Sequence, residues 1–199
     1  MVGGDPDMGI VMGLVIGVGL SAACGFRVFV PLLGMSIASL AGHLTLSPGF
    51  EWIGSWPALI AFVTATILEV CAYYIPWLDN IMDMGATPVA IVAGTMMTAS
   101  LMGDMSPMLK WSLAALAGGG VCAVVQGGTV AIRAASSGTT GGSGNSVVST
   151  LELAAGIAVT LLAITLPLLC FVAVILICYK MVKSIMKSRL LRKRQAAPG

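Results

Sequence analysis

The chain has 199 residues, of which 58% are hydrophobic and only 9% charged, and its mean hydropathy is +1.01. A water-soluble domain carries roughly a quarter charged residues, so the composition excludes one and points to a polytopic membrane protein. The formal net charge of +2 hides an uneven distribution: Lys180, Lys183, Lys187, Arg189, Arg192, Lys193 and Arg194 crowd one end, and only Arg27, Lys110 and Arg133 precede them.

Apolar stretches of about 17 residues or more, the length a helix needs to cross a bilayer, run over residues 8–43, 56–75, 86–103, 109–132 and 147–181. Period-two alternation is missing, which argues against a membrane β-barrel. The expected fold class is all-α: a polytopic transmembrane helical bundle of about five crossings, six or seven if the long first and last stretches break into more. Residues 1–7, with Asp5 and Asp7, read as an extracytoplasmic N-terminal tail, 8–182 as the transmembrane helical domain and 183–199 as a basic cytoplasmic tail. The positive-inside rule sets this orientation, with the C-terminus in the cytoplasm and the N-terminus outside. A basic cluster directly after an apolar helix is expected to meet anionic lipid headgroups at the bilayer surface, and not nucleic acid.

In the first stretch Gly9, Gly13 and Gly17 recur at every fourth position. Small residues at this spacing let helix backbones approach closely, either inside the molecule or along the seam of a homo-oligomer, which is the expected assembly. The leader carries no lysine or arginine, so the run ending at Cys24 reads as a retained helix and not a cleaved signal. Arg27 follows, in SAACGFRVFVPLL. An arginine in an apolar run must find water, a headgroup, an anion or a partner. Some 35 residues of unbroken helix would exceed about 50 Å against a hydrocarbon core of about 30 Å. Gly25 and Pro31 on either side of Arg27 therefore predict a break there.

The segment HLTLSPGFEWIGSW reads as an interfacial loop, with Trp52, Trp56 and later Trp77 as depth markers. Glu69 lies within LIAFVTATILEVCAYYIP, with Tyr73 one turn on and on the same helical face. Such a carboxylate must be protonated, hydrated, or paired with Arg27 or Arg133. The stretch PWLDNIMDMGATP, residues 76–88, reads as an acidic turn through Asp79 and Asp83, and GDMSP as a second short turn. On the glycine-rich fourth segment Gln126 lies two turns before Arg133 and shares its face. AASSGTTGGSGNS, residues 134–146, reads as a flexible loop by composition. Because Asn145 falls between Arg133 and Glu152, the alternative is an irregular element lining an aqueous cavity. The last stretch contains Pro167 and runs into the basic end, which predicts one long kinked helix.

A faint echo between TATILEVCAYY and VVSTLELAAGI, and between SAACGFRVFV and QGGTVAIRAA, raises an inverted repeat, each half pairing one arginine with one glutamate. No nucleophile, base and orienting group assemble: His43 is the single histidine, and Cys24, Cys71, Cys122, Cys170 and Cys178 lie singly in apolar segments. Catalytic residues, a metal site and a cofactor are therefore not expected, and neither is enzymatic activity.

The order of features resembles a bacterial integral-membrane family catalogued as a domain of unknown function (domain of unknown function 4126). The resemblance rests on GLSAACGFRVFVPLL, on Glu69 with Ile75, Pro76 and Asp79 in LEVCAYYIPWLD, on GATPVAIVAG, and on Arg133, Gly142, Asn145, Glu152 and the Pro167 region. It implies an integral protein of the bacterial inner membrane and supplies no activity. The leading expectation is a small channel or transporter for an ion or solute, with Arg27, Glu69, Tyr73, Asp79, Gln126, Arg133, Asn145 and Glu152 as pathway or binding candidates. The alternative is a membrane scaffold or assembly subunit in which the same charges form interhelical ion pairs.

Overall fold

The computed structural model describes residues 6–103, 105–141 and 144–195; the side chains of Trp77, Asp79 and Asp83, and those from residue 187 onward, lie outside the description, as do Asp5 and Asp104. The described chain is all helical. In order, the helices are α1 (Pro6–Cys24), α2 (Phe29–Leu40), α3 (Trp56–Tyr73), α4 (Pro76–Leu101), α5 (Pro107–Thr140), α6 (Asn145–Thr165) and α7 (Pro167–Gln195), with a short 3-10 turn at Glu51–Gly54. Three of them, α3, α5 and α6, are long and apolar enough to cross a membrane, and Met8–Cys24, Phe29–Leu40 and Gly85–Leu101 are shorter apolar helices. The outward faces carry Ile60, Ile67 and Leu68 on α3, Leu151 and Leu161 on α6, and Leu168, Leu169 and Val172 on α7, all exposed. Polar groups such as Ser21, Thr98 and Ser100 are buried instead. Lipid-facing apolar surface around a partly polar interior is the arrangement of a membrane protein, and the reverse of a soluble one.

The first stretch breaks where Gly25 and Pro31 predict it. α1 ends at Cys24, residues 25–28 cross over, and α2 runs back beside it. Pro31 falls in the first turn of α2, where its missing N–H costs no intrahelical bond. α1 packs antiparallel on α4: the Cα of Gly13 faces the backbone of Leu101, the Ser21 hydroxyl donates to Gly94 O at 2.6 Å, and the Cys24 thiol reaches Ala90 O at 3.6 Å. A Cβ on Gly13 would collide with Leu101 O, and one on Gly17 would lie 2.8 Å from Thr98 Cα. Both glycines therefore serve packing within the molecule, while a Cβ added at Gly9 would meet nothing within 4 Å among the described residues.

Three sequence expectations are corrected. Residues 76–88 are not a turn but the first half of α4: Pro76 starts the helix at a position that suits it, and Pro88 is carried within it. Residues 134–140 are not a flexible loop but the last turns of α5, where the Thr139 and Thr140 hydroxyls donate to Ala135 O and Ser136 O. Gly141, at φ +62, caps the helix in the left-handed conformation that glycine adopts without strain. The last stretch is not one kinked helix: it ends at Thr165, restarts at Pro167 and doubles back. In a continuous helix residues 159 and 170 would stand about 16 Å apart, whereas the Cys170 thiol lies 3.8 Å from Val159 O.

Within α5, Ala114–Gly119 widens into a π-helical segment, and there Gly118 and Gly119 press against Thr98 and Thr95 of α4. α5 is antiparallel to α4, since the Cys122 thiol donates to Ala90 O at 3.1 Å while Gly118 lies at Gly94 and Thr98. α1 and α5 are thus parallel. The helix bearing Arg133 has the same direction as the one that leads to Arg27, so inversion does not relate the two arginine segments. α7 continues helically through the onset of the basic end with no break at residue 183.

Candidate functional site

The break between α1 and α2 delivers Arg27 to the interior, where it is 1% exposed. Around it stand Glu69 and Tyr73 from α3, Arg133 from α5, and Ser149 and Glu152 from α6, all buried. Each spacing follows from helix geometry: Glu69 and Tyr73 are one turn apart, as nearly are Ser149 and Glu152, so each pair projects from one face. Tight approach of the backbones lets four segments meet here. Gly25 lies against Val125 and Cys122 of α5, and Gly156 of α6 leaves room for the Arg27 stem, whose Cβ would sit 3.6 Å from an added methyl.

The two arginines are held differently. Arg133 Nε donates to Glu152 Oε1 at 3.0 Å and Oε2 at 3.1 Å, and its Nη2 donates to Oε2 as well. Arg27 Nη2 donates to Ser149 O at 2.9 Å and to the Ser149 hydroxyl. Its nearest carboxylate oxygen is Glu152 Oε2, at 3.9 Å, too far for a hydrogen bond. The Nε and Nη1 groups of Arg27 are buried and meet no acceptor among the described residues. Both guanidinium carbons pack against the Tyr73 ring, 4.0 Å from its centroid for Arg27 and 4.1 Å for Arg133. The aromatic face therefore supplies a cation–π contact to each in a desolvated setting.

Glu69 pairs directly with neither arginine. Its Oε1 accepts from the Val28 N–H at 2.8 Å and its Oε2 from the Phe29 N–H at 3.1 Å. These amides open α2 and have no intrahelical acceptor. A carboxylate there also complements the positive end of the helix dipole. Glu69 thus pins the restart of the broken helix to α3.

The remaining sequence candidates divide. Gln126 is buried on α5 on the cluster side of the helix, two turns from Arg133, with no direct contact to the charges among the described interactions. Asn145 lies at the start of α6, where its Nδ2 donates to Ser137 Oγ at 2.9 Å and ties the ends of α5 and α6 together. The Asp79 side chain lies outside the described residues. Sequence reading missed Ser149 and the Val28 and Phe29 amides. The first had a signal, its place one helical turn before Glu152; the second followed from the expected break, which exposes backbone donors. Among the described residues no cluster of three or more metal-ligating side chains occurs.

The family described as a domain of unknown function (DUF4126) matches residues 14–187, and the chain belongs to that family. No curated protein and no solved structure matches it.

Proposed function

We propose that this protein is a small channel or transporter for an ion or small solute, and that its pathway passes the cluster of Arg27, Glu69, Tyr73, Arg133 and Glu152. The observation that carries the reading is the broken helix itself. Irregular backbone inside a membrane bundle is tolerated only where protein buries it or where it lines an aqueous cavity, and here the break holds an arginine whose Nε and Nη1 have no hydrogen-bond acceptor among the described residues. Transporter sites recurrently combine a discontinuous helix with charges from several neighbouring helices. The cluster is closed off from solvent, so this conformation corresponds to an occluded state.

A scaffold reading draws on a different observation: every oxygen of Glu69 and Glu152 is already engaged inside the bundle. Purified protein in liposomes separates the two. Transport requires flux of at least one species in a broad panel of ions and solutes, altered by Glu69→Gln; a full panel with no flux overturns it. The basic residues from Lys180 onward support a C-terminus in the cytoplasm of a bacterial inner membrane, in contact with anionic headgroups. Gly13 and Gly17 are occupied by α4, so a homo-oligomer, if formed, uses another face.

A further inference from the structure

We propose that Arg27 is an anion-binding group, and that its ligand is a small monovalent anion, a halide or a planar oxyanion of the size of nitrate or formate. The inference deepens the transport reading by naming its substrate class and rests on that reading for the anion's passage. Binding itself stands on the geometry of the guanidinium.

The side chain offers five N–H donors in one plane. Among the described residues only Nη2 finds acceptors, the two oxygens of Ser149, while Nε and Nη1 have none although the residue is 1% exposed. Buried donors without partners are rare, and a bound ion or water is one of the few things that account for them. The ring of Tyr73 covers the guanidinium at 4.0 Å, so an additional partner approaches along the unoccupied edges.

Charge selects the partner. Neither nearby carboxylate hydrogen-bonds Arg27: Glu152 is committed to Arg133, and Glu69 to the α2 amides. The unsatisfied groups of the site are thus donors, and they belong to a cation, to which an anion makes stronger, charge-assisted hydrogen bonds than a neutral acceptor does. A metal cation finds no unoccupied oxygen on Glu69 or Glu152, the cluster's carboxylates among the described residues. Formal charges of Arg27, Arg133, Glu69 and Glu152 cancel, so a divalent anion would leave a buried excess of two negative charges where a monovalent one leaves one; desolvation favours the latter. Enclosure by α1, α3, α5 and α6 keeps the ligand small.

The test uses the full-length chain in detergent micelles, with nitrate, formate and chloride titrated against gluconate at constant sodium. The readouts are the Arg27 Nε–H resonance, assigned by through-bond correlation, and the unfolding midpoint. Expected is a saturable shift of that resonance with a parallel rise in midpoint. Arg27→Lys keeps the charge but removes the planar donor set, and is expected to weaken binding about tenfold or more; Lys110→Gln, remote from the cluster, leaves it unchanged. A resonance unmoved by all three anions means that water alone meets these donors, and overturns the proposal without relying on any variant's folding. Equal affinity in a folded Arg27→Lys overturns it too. Liposome flux separates the two readings: anion binding without flux of any species sinks transport and leaves this site, whereas flux with an unmoved Arg27 resonance sinks the site and leaves transport.

Discussion

Glu152→Gln is the substitution that most directly tests how the buried charges are held. Glu152 faces two cations, Arg133 in direct contact and Arg27 at 3.9 Å. With an effective dielectric constant of about 20, one pair of unit charges at such a separation interacts by about 4 kcal/mol. Glutamine keeps one oxygen that still accepts from Arg133, but it turns an amide N–H₂ toward a guanidinium and leaves the buried cluster, whose formal charges otherwise cancel, with one positive charge uncompensated. A net loss of about 3–5 kcal/mol follows, the range for breaking a buried pair from one side. Glu69→Gln is milder: the amide oxygen still takes one of the two backbone N–H groups, so the cost is about 1.5–3 kcal/mol, that of one charged hydrogen bond. Unfolding in mixed micelles with increasing dodecyl sulfate, followed by tryptophan fluorescence, measures both. The reasoning fails if Glu152→Gln costs less than about 1 kcal/mol, or if Glu69→Gln costs more than Glu152→Gln.

The remaining expectations use the same unfolding assay. The Tyr73 ring meets two guanidinium groups, so Tyr73→Leu should destabilise by about 1–4 kcal/mol more than Tyr73→Phe, which keeps the ring; equal effects would remove the ring from the account. Gly13→Val and Gly17→Val should each cost at least about 1–3 kcal/mol by driving α1 away from α4, and Gly9→Val should stay within about 0.5 kcal/mol; a Gly9 effect as large as the others would place a partner on that face. Gly141→Ala, at φ +62, should cost about 1 kcal/mol through backbone strain alone, with no change at the charge cluster; an unaffected midpoint would argue against the left-handed cap.

What could be read from the sequence divides along physical lines. The break at Arg27 was legible because length and two residues agreed: no helix of some 35 residues fits the bilayer, and Gly25 and Pro31 marked where it ends. Pro167 carried the same length argument, yet a proline reports only that a helix restarts. Whether the chain bends or reverses depends on what the second half packs against, here Gly19 of α1 and Val159 of α6, which meet Cys170. Composition misled at residues 134–140 because serine, threonine and glycine are loop formers when nothing else holds them. Here threonine hydroxyls bond back to the helix carbonyls, and the Ser137–Asn145 contact fixes the turn. Residues 76–88 misled in a similar way, since Pro76 and Pro88 suit a turn by propensity but fall at a helix start and at a tolerated interior position.

The placement of Glu69 shows a more general gap in sequence reasoning about buried charge. Counting side chains in the apolar segments leaves two arginines and two glutamates, and the natural inference is two ion pairs. That count omits the backbone. Breaking a membrane helix at residues 25–28 creates unpaired amides at the start of α2, and together with the helix dipole they amount to roughly half a positive charge. This partial cation is fixed by the fold and needs a partner as much as an arginine does. Glu69 takes it, through Val28 and Phe29. Glu152 is then left to serve Arg133 directly and Arg27 only at a distance. The break thus explains both where Arg27 sits and why it lacks a bonded carboxylate: the carboxylate expected to pair with it is held by the amides that the same break exposes.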